Sequence, residues 1–93
     1  RVVLMTEPRW GRTAALNGAG EHPNLRLEQF MQRTRTVATS TKLPLVDHFQ
    51  HWTAAEQRGT DIGGWTTDQC HPNPAGHRQL ADLLLPGILP LLD

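Results

Sequence analysis

Two short aliphatic runs bracket a stretch of helical periodicity, and that spacing constrains the fold more than any other feature of the chain. Val2, Val3, Leu4 and Met5 form the first run, closed by Thr6-Glu7-Pro8. Proline has no N–H to give a ladder, so the strand must stop before Pro8. An unbroken apolar run of this kind suits a strand covered on both faces, as in a parallel sheet. Asn24 is a good helix cap, and Leu27, Phe30, Met31, Thr34, Val37 and Ala38 then recur at three- and four-residue steps. That pattern predicts one apolar face of a helix from about residue 25 to about residue 39. Arg26, Glu28, Gln29, Arg33 and Arg35 fall largely on the opposite side and read as a solvated face. Leu43-Pro44-Leu45-Val46-Asp47 is the second strand, with Pro44 tolerated near its start. Strand, helix, strand is a βαβ unit, so the expected class is α/β with a parallel sheet.

The segments between these elements carry most of the polar and aromatic chemistry. Residues 9–23 read as loop, broken by Gly11, Asn17, Gly18 and Gly20. Trp10 lies just past the first strand's carboxyl end, the side on which open α/β sheets build their sites. It has two roles open to it, covering the core edge or stacking on a ligand. After the second strand, Phe49 and Trp52 are expected to pack inward on a short helix over about residues 49–57, leaving His48 and His51 partly exposed. The His48-x-x-His51 pair has loose spacing and no evident third ligand, so no metal is assigned to it. A loop rich in Gly and Thr follows and carries Trp65, which can line a pocket or cap the core beneath it. Asn73 and Pro74 then signal a helix start, with Leu80, Ala81, Leu83 and Leu84 as its buried stripe. Pro86-Gly87 should kink or end that helix, and Ile88–Leu92 should lie against the body as a short apolar tail.

Composition narrows the function. Nine basic and nine acidic side chains leave no formal net charge, which argues against a dedicated nucleic-acid surface. No run is long and apolar enough for a membrane span. Cys70 is the sole cysteine and can close no disulfide within the chain. Its 93 residues make one small domain or part of a larger one. Opening directly on a core-type strand, with no leader, suggests a piece of something longer.

The most reactive stretch is Asp68-Gln69-Cys70-His71-Pro72-Asn73-Pro74-Ala75-Gly76-His77. A carboxylate and an imidazole three residues apart let the acid grip one ring nitrogen while the other faces a substrate. That is the acid–base half of a hydrolase triad. Cys70 lies between them with no separate base in view, and is read as an inert packed thiol. His77 falls in the first turns of the following helix and is read as structural.

Asp68-x-x-His71-Pro72-Asn73, followed by Gly76-His77 and an aliphatic helix, resembles the last conserved block of the SGNH (GDSL-type) hydrolases. The order of the preceding strand, helix, strand and loop is similar to that family as well. The resemblance implies that residues 1–93 are the C-terminal part of a single SGNH hydrolase domain, a flavodoxin-like three-layer α/β/α sandwich around a parallel sheet. It implies an ester hydrolase acting on acyl or acetyl groups, with His71 as general base and Asp68 as its orienting partner. Trp65 and Trp10 become candidate substrate-binding residues, and they favour a carbohydrate ester, since sugars stack on aromatic faces. No cofactor is implied.

The family's Gly-Asp-Ser and Gly-x-Asn-Asp blocks are absent from this sequence, and its one serine, Ser40, sits at a helix end. The expectation is therefore that the chain supplies the Asp–His part of the triad and is inactive alone. Its first partner would be the N-terminal part of the same domain, carrying the serine; the second would be a small-molecule or carbohydrate ester. A non-catalytic α/β binding module and an inactive fragment are the alternative readings. A binding module would fold alone and be indifferent to loss of His71.

Overall fold

In the computed structural model, which describes residues 1–92, strand β1 (Leu4–Thr6) pairs in parallel with strand β2 (Leu45–Asp47). Leu4 lies opposite Leu45, Met5 opposite Val46 and Thr6 opposite Asp47. Helix α1 (Pro23–Thr41) makes the connection between them, so the chain is of the α/β class with a small parallel sheet. Helix α2 (His48–Gln57) leaves β2 without a loop, a 3₁₀ turn follows at Ile62–Trp65, and helix α3 (Pro74–Ile88) ends in a second 3₁₀ turn at Leu89–Leu91.

Helix α1 starts earlier than the periodicity predicts. Pro23, with its φ already set for a helix, takes the first position, and the cap is His22, whose Nδ1 accepts from Asn24 N–H at 3.1 Å. Asn24 is therefore not the cap. Its buried amide instead accepts from Trp10 N–H at 2.8 Å and donates to Trp10 C=O at 2.9 Å. The other end closes on Lys42, whose φ of 56° lies in the left-handed region and whose N–H returns to Ala38 and Thr39. Hydroxyls of Thr34, Thr36, Thr39, Ser40 and Thr41 all bond back to carbonyls three or four residues earlier. That back-bonding is how a helix so rich in weak helix formers keeps its polar groups satisfied.

The inward face of α1 is narrower than predicted. Met31 and Ala38 are buried, but Phe30 is 62% exposed and Val37 48% exposed. Arg35, expected on the solvated face, turns inward. Its Nε lies 2.7 Å from Asp47 Oδ2 and its Nη2 3.2 Å from Oδ1, a fork on a carboxylate that a point charge could not match. Asp47 also caps α2 through Gln50 N–H and accepts from the Thr6 hydroxyl at 2.8 Å. Burial works against the Asp47 charge, but Arg35, Thr6 and the Gln50 amide outweigh it and hold the carboxyl below its ordinary range. Thr6 Oγ1 in turn accepts from Phe49 N–H at 2.9 Å, so one polar knot joins both strands and two helices.

Phe49 and Trp52 are buried as predicted; Trp52 packs with Ala55 and Ile62, and the half-buried Trp65 and Leu80 lie against these three. Cations stand over the Phe49 ring, Arg9 at 5.5 Å and Arg35 at 5.9 Å. His48 departs from expectation: it is only 4% exposed. Residues 48, 52 and 55 share one helical face, and because Asp47 caps α2 directly at the strand end, that face starts at His48. Its Nδ1 has no hydrogen-bond partner among the described residues.

Burial first, and the neighbouring His51 second, push the His48 pKa below its ordinary 6.5, with Asp47 opposing. The unfolded chain therefore takes up this proton before the folded one does. Stability should be full above pH 6.5 and decline as pH falls from there toward the lowered folded value. His48→Leu is expected to remove that part of the acid-side decline, read from urea midpoints at pH 7.5 and 5.5. An equal decline in parent and variant would assign the proton uptake elsewhere.

Helix α3 runs through Pro86 instead of stopping there, and Leu89 N–H resumes bonding to Leu85 C=O. Its last turns lie so close to β2 that a Cβ on Gly87 would meet Val46 Cγ2 at 2.9 Å. Leu80, Leu83 and Leu84 are half-buried, while Ala81, predicted to share their stripe, is exposed because it falls off the face turned to the sheet. The tail is against the body in part: Leu91 is half-buried and its carbonyl takes the Arg1 guanidinium, but Leu89 and Leu92 are exposed. Among the described residues no helix is long and apolar enough to cross a membrane.

Candidate active site

Residues 66–72 form a closed loop between the 3₁₀ turn and α3. Thr66 and Pro72 face each other in an isolated antiparallel bridge, and Thr67 N–H donates to His71 C=O at 2.9 Å. Inside this loop Asp68 folds back on the chain that follows it. Its Oδ1 accepts from Cys70 N–H at 3.0 Å and from His71 N–H at 2.7 Å. Its Oδ2 lies 2.6 Å from His71 Nδ1. With an ionised acceptor on that side, the neutral ring is the tautomer that carries its proton on Nδ1 and leaves the Nε2 lone pair free. Both side chains are solvent-exposed.

The backbone N–H of His71, then its ring, then the Cys70 N–H lower the Asp68 pKa from 3.8 to about 2. The acid therefore stays charged through the ordinary carboxylate range, as an orienting group for an imidazole must. Cys70 goes the other way. Burial, and then Asp68 and Glu7, push its thiol up, so it remains a thiol between two polar neighbours.

Asn73 ties the loop to α3. Its Oδ1 caps the helix at Gly76 N–H (2.9 Å), its Nδ2 reaches Gly64 C=O (2.8 Å) and Thr66 C=O (3.2 Å), and its own N–H meets Trp65 C=O (2.9 Å). Gly76 must be glycine here, because a Cβ would sit 2.1 Å from the Trp65 carbonyl oxygen. His77 is exposed in the first turn of α3, and its N–H bonds Asn73 C=O.

The two candidate tryptophans are placed differently. The Trp65 ring meets Trp52 edge-on, centroids 5.1 Å apart at 74°, and packs on the core. Trp10 is half-buried in a loop that the structure brings against the Asp–His loop: Gly11 N–H donates to Gln69 C=O at 2.8 Å. Ser40 lies elsewhere. Its hydroxyl bonds Val37 C=O in the last turn of α1, a helix of 19 residues and so roughly 28 Å long at 1.5 Å per residue. That turn precedes β2 and sits at the amino edge of the sheet, whereas the Trp10 and Asp–His loops lie over its carboxyl edge. His48 is buried, and its neighbour His51 lies 3.4 Å from Gln79 Oε1. Among the described residues no three His, Cys, Asp or Glu side chains gather as a metal-binding set.

Sequence reasoning passed over Gln69, which sits between the acid and the base with φ of 72°. Nothing in its residue type signals that conformation. The glycines at 11 and 63 are the only trace, and they are intelligible only once the loops are seen together.

The chain thus combines two parallel strands joined by a helix with a carboxylate–imidazole pair in the loop before the last helix. A model of the GDSL-like lipase/acylhydrolase family matches residues 1–84, and the chain belongs to that family. No curated protein and no solved structure matches it.

Proposed function

We propose that the protein is a serine ester hydrolase in which His71 is the general base and Asp68 the group that orients it. The observation that carries this reading is the 2.6 Å contact between Asp68 Oδ2 and His71 Nδ1, on an imidazole that is largely exposed to solvent. In the proposed cycle, Nε2 takes the proton of a serine hydroxyl as that oxygen attacks the ester carbonyl. Asp68 stabilises the imidazolium, which then protonates the departing alcohol. Water, activated by the same nitrogen, releases the acid.

The serine and the oxyanion donors belong, in this proposal, to the rest of a three-layer α/β/α domain of which residues 1–93 are the C-terminal part. Two features support it. Among the described residues β1 has β2 as its one strand neighbour, and the apolar Met5, Phe30 and Val37 are uncovered. The substrate is an acyl or acetyl ester of a small alcohol or carbohydrate, with Trp10 at the carboxyl edge of the sheet and Trp65 beneath the loop as its aromatic neighbours.

A serine-directed phosphonate tests the proposal in the intact protein. It should abolish hydrolysis of a small activated acetyl ester and leave one adduct, on a serine other than Ser40. An adduct on Ser40, or hydrolysis that survives the reagent, would refute the assignment.

A further inference from the structure

We infer that Gln69 is a positioning residue for the Asp68–His71 pair, a latch that holds the loop carrying them against the loop carrying Trp10. The inference rests on the catalytic reading of that pair, but its geometry stands independently. Gln69 is an L-residue in the left-handed region, which glycine adopts freely and glutamine does not. Such a conformation persists only where the surroundings enforce it, and three hydrogen bonds do so here. Gln69 N–H donates to Thr66 Oγ1 at 2.9 Å, its C=O accepts from Gly11 N–H at 2.8 Å, and its Oε1 accepts from Thr13 N–H at 3.2 Å. The amide is seated in a slot between two glycines. A Cβ on Gly11 would fall 2.1 Å from Gln69 Oε1, and one on Gly63 would fall 2.6 Å from its Nε2.

The consequence lies on either side of it in the chain. The left-handed turn at residue 69 is what brings the next two N–H groups, of Cys70 and His71, back onto Asp68 Oδ1. With Oδ1 held there, Oδ2 has one place to go, against the His71 ring. Released from Thr13 and Gly11, residue 69 would relax to an ordinary backbone conformation and carry those amides away from the carboxylate. The acid would then lose the donors that keep it charged and the base would lose its orientation. Gln69 touches neither substrate nor reacting atoms; it acts through Asp68.

The test uses the intact protein and two readouts, the Asp68 titration followed by carboxyl ¹³C NMR and the kcat and KM for an activated acetyl ester. Gln69→Met keeps the side chain's bulk but removes the oxygen that Thr13 grips, whereas Gln69→Glu keeps an acceptor there. Gly11→Ala evicts the latch without altering the loop, and Gly18→Ala, with nothing near its Cβ, serves as control.

In the parent and in Gly18→Ala, Asp68 should titrate at about 2. In Gln69→Met and Gly11→Ala it should move toward the ordinary 3.8, with kcat lowered by roughly ten- to a hundredfold and KM little changed. Gln69→Glu should stay within a few-fold of the parent in kcat. Asp68 remaining near 2 in Gln69→Met, equal behaviour of the Met and Glu variants, or loss of folding in the Met variant would each overturn a positioning role. The carboxyl titration does not depend on turnover, so a failed latch is distinguishable from a failed catalytic assignment.

Discussion

His71→Ala in the intact protein is expected to lower kcat for an activated acetyl ester by about 10⁴- to 10⁶-fold, with KM changed only a few-fold. The base is needed in both halves of the proposed cycle, so no step is spared. Asp68→Asn should cost about 10⁴-fold for a different reason. An asparagine oxygen can still accept from the Cys70 and His71 amides, so the loop keeps its shape. Its NH₂ would then point at Nδ1, forcing the ring proton onto Nε2, where it blocks the nitrogen that must accept. Steady-state kinetics on both variants, with circular dichroism to show that the fold is kept, decides the matter. Parental turnover in His71→Ala would exclude His71 as the base.

The second large effect is on stability. Trp52→Ala should lose about 3–5 kcal/mol, a sizeable share of the roughly 5–15 kcal/mol that holds a domain together. Trp52 has no exposed surface, packs with Ala55 and Ile62, and meets the Trp65 ring edge-on. Its removal leaves a cavity under the turn from which the Asp–His loop springs. Trp52→Phe should be much milder. It gives up volume, but it also removes an indole N–H that has no partner among the described residues, and a buried unpaired donor costs about 1–3 kcal/mol. Urea unfolding of both variants measures the difference. Equal losses would show that the indole N–H carries no such penalty.

The frame of the chain was legible because it is made by local chemistry. An aliphatic run stopped by proline, a helical period and a second run ending in Asp47 announce a βαβ unit without knowledge of its neighbours. The Asp68–His71 pair was legible for the same reason: three residues of chain confine acid and base to one turn. The failures share the opposite cause. Arg35 looks like one of several surface cations until β2 places Asp47 beneath it. Asn24 has the composition of a cap, but the backbone of Trp10, fourteen residues earlier, takes its amide. His48 looks exposed until α2 is seen to start without a loop. Gln69 depends on contacts to residues 11 and 13, more than fifty positions away. For Arg35, Asn24 and Gln69 a polar side chain found a partner across the fold, and for His48 a helix start buried the ring; no periodicity records either.

The division of the Asp68 carboxylate, one oxygen on the backbone of the next residues and one on the His71 ring, also bears on how such a site is inherited. Acid and base share a single four-residue turn, so an exchange of gene segments between relatives seldom separates them. What must be rematched is the seam, where residues 11 and 13 meet residue 69. Drift in the far loop, rather than in the pair itself, is where incompatibility between parental sequences should first arise.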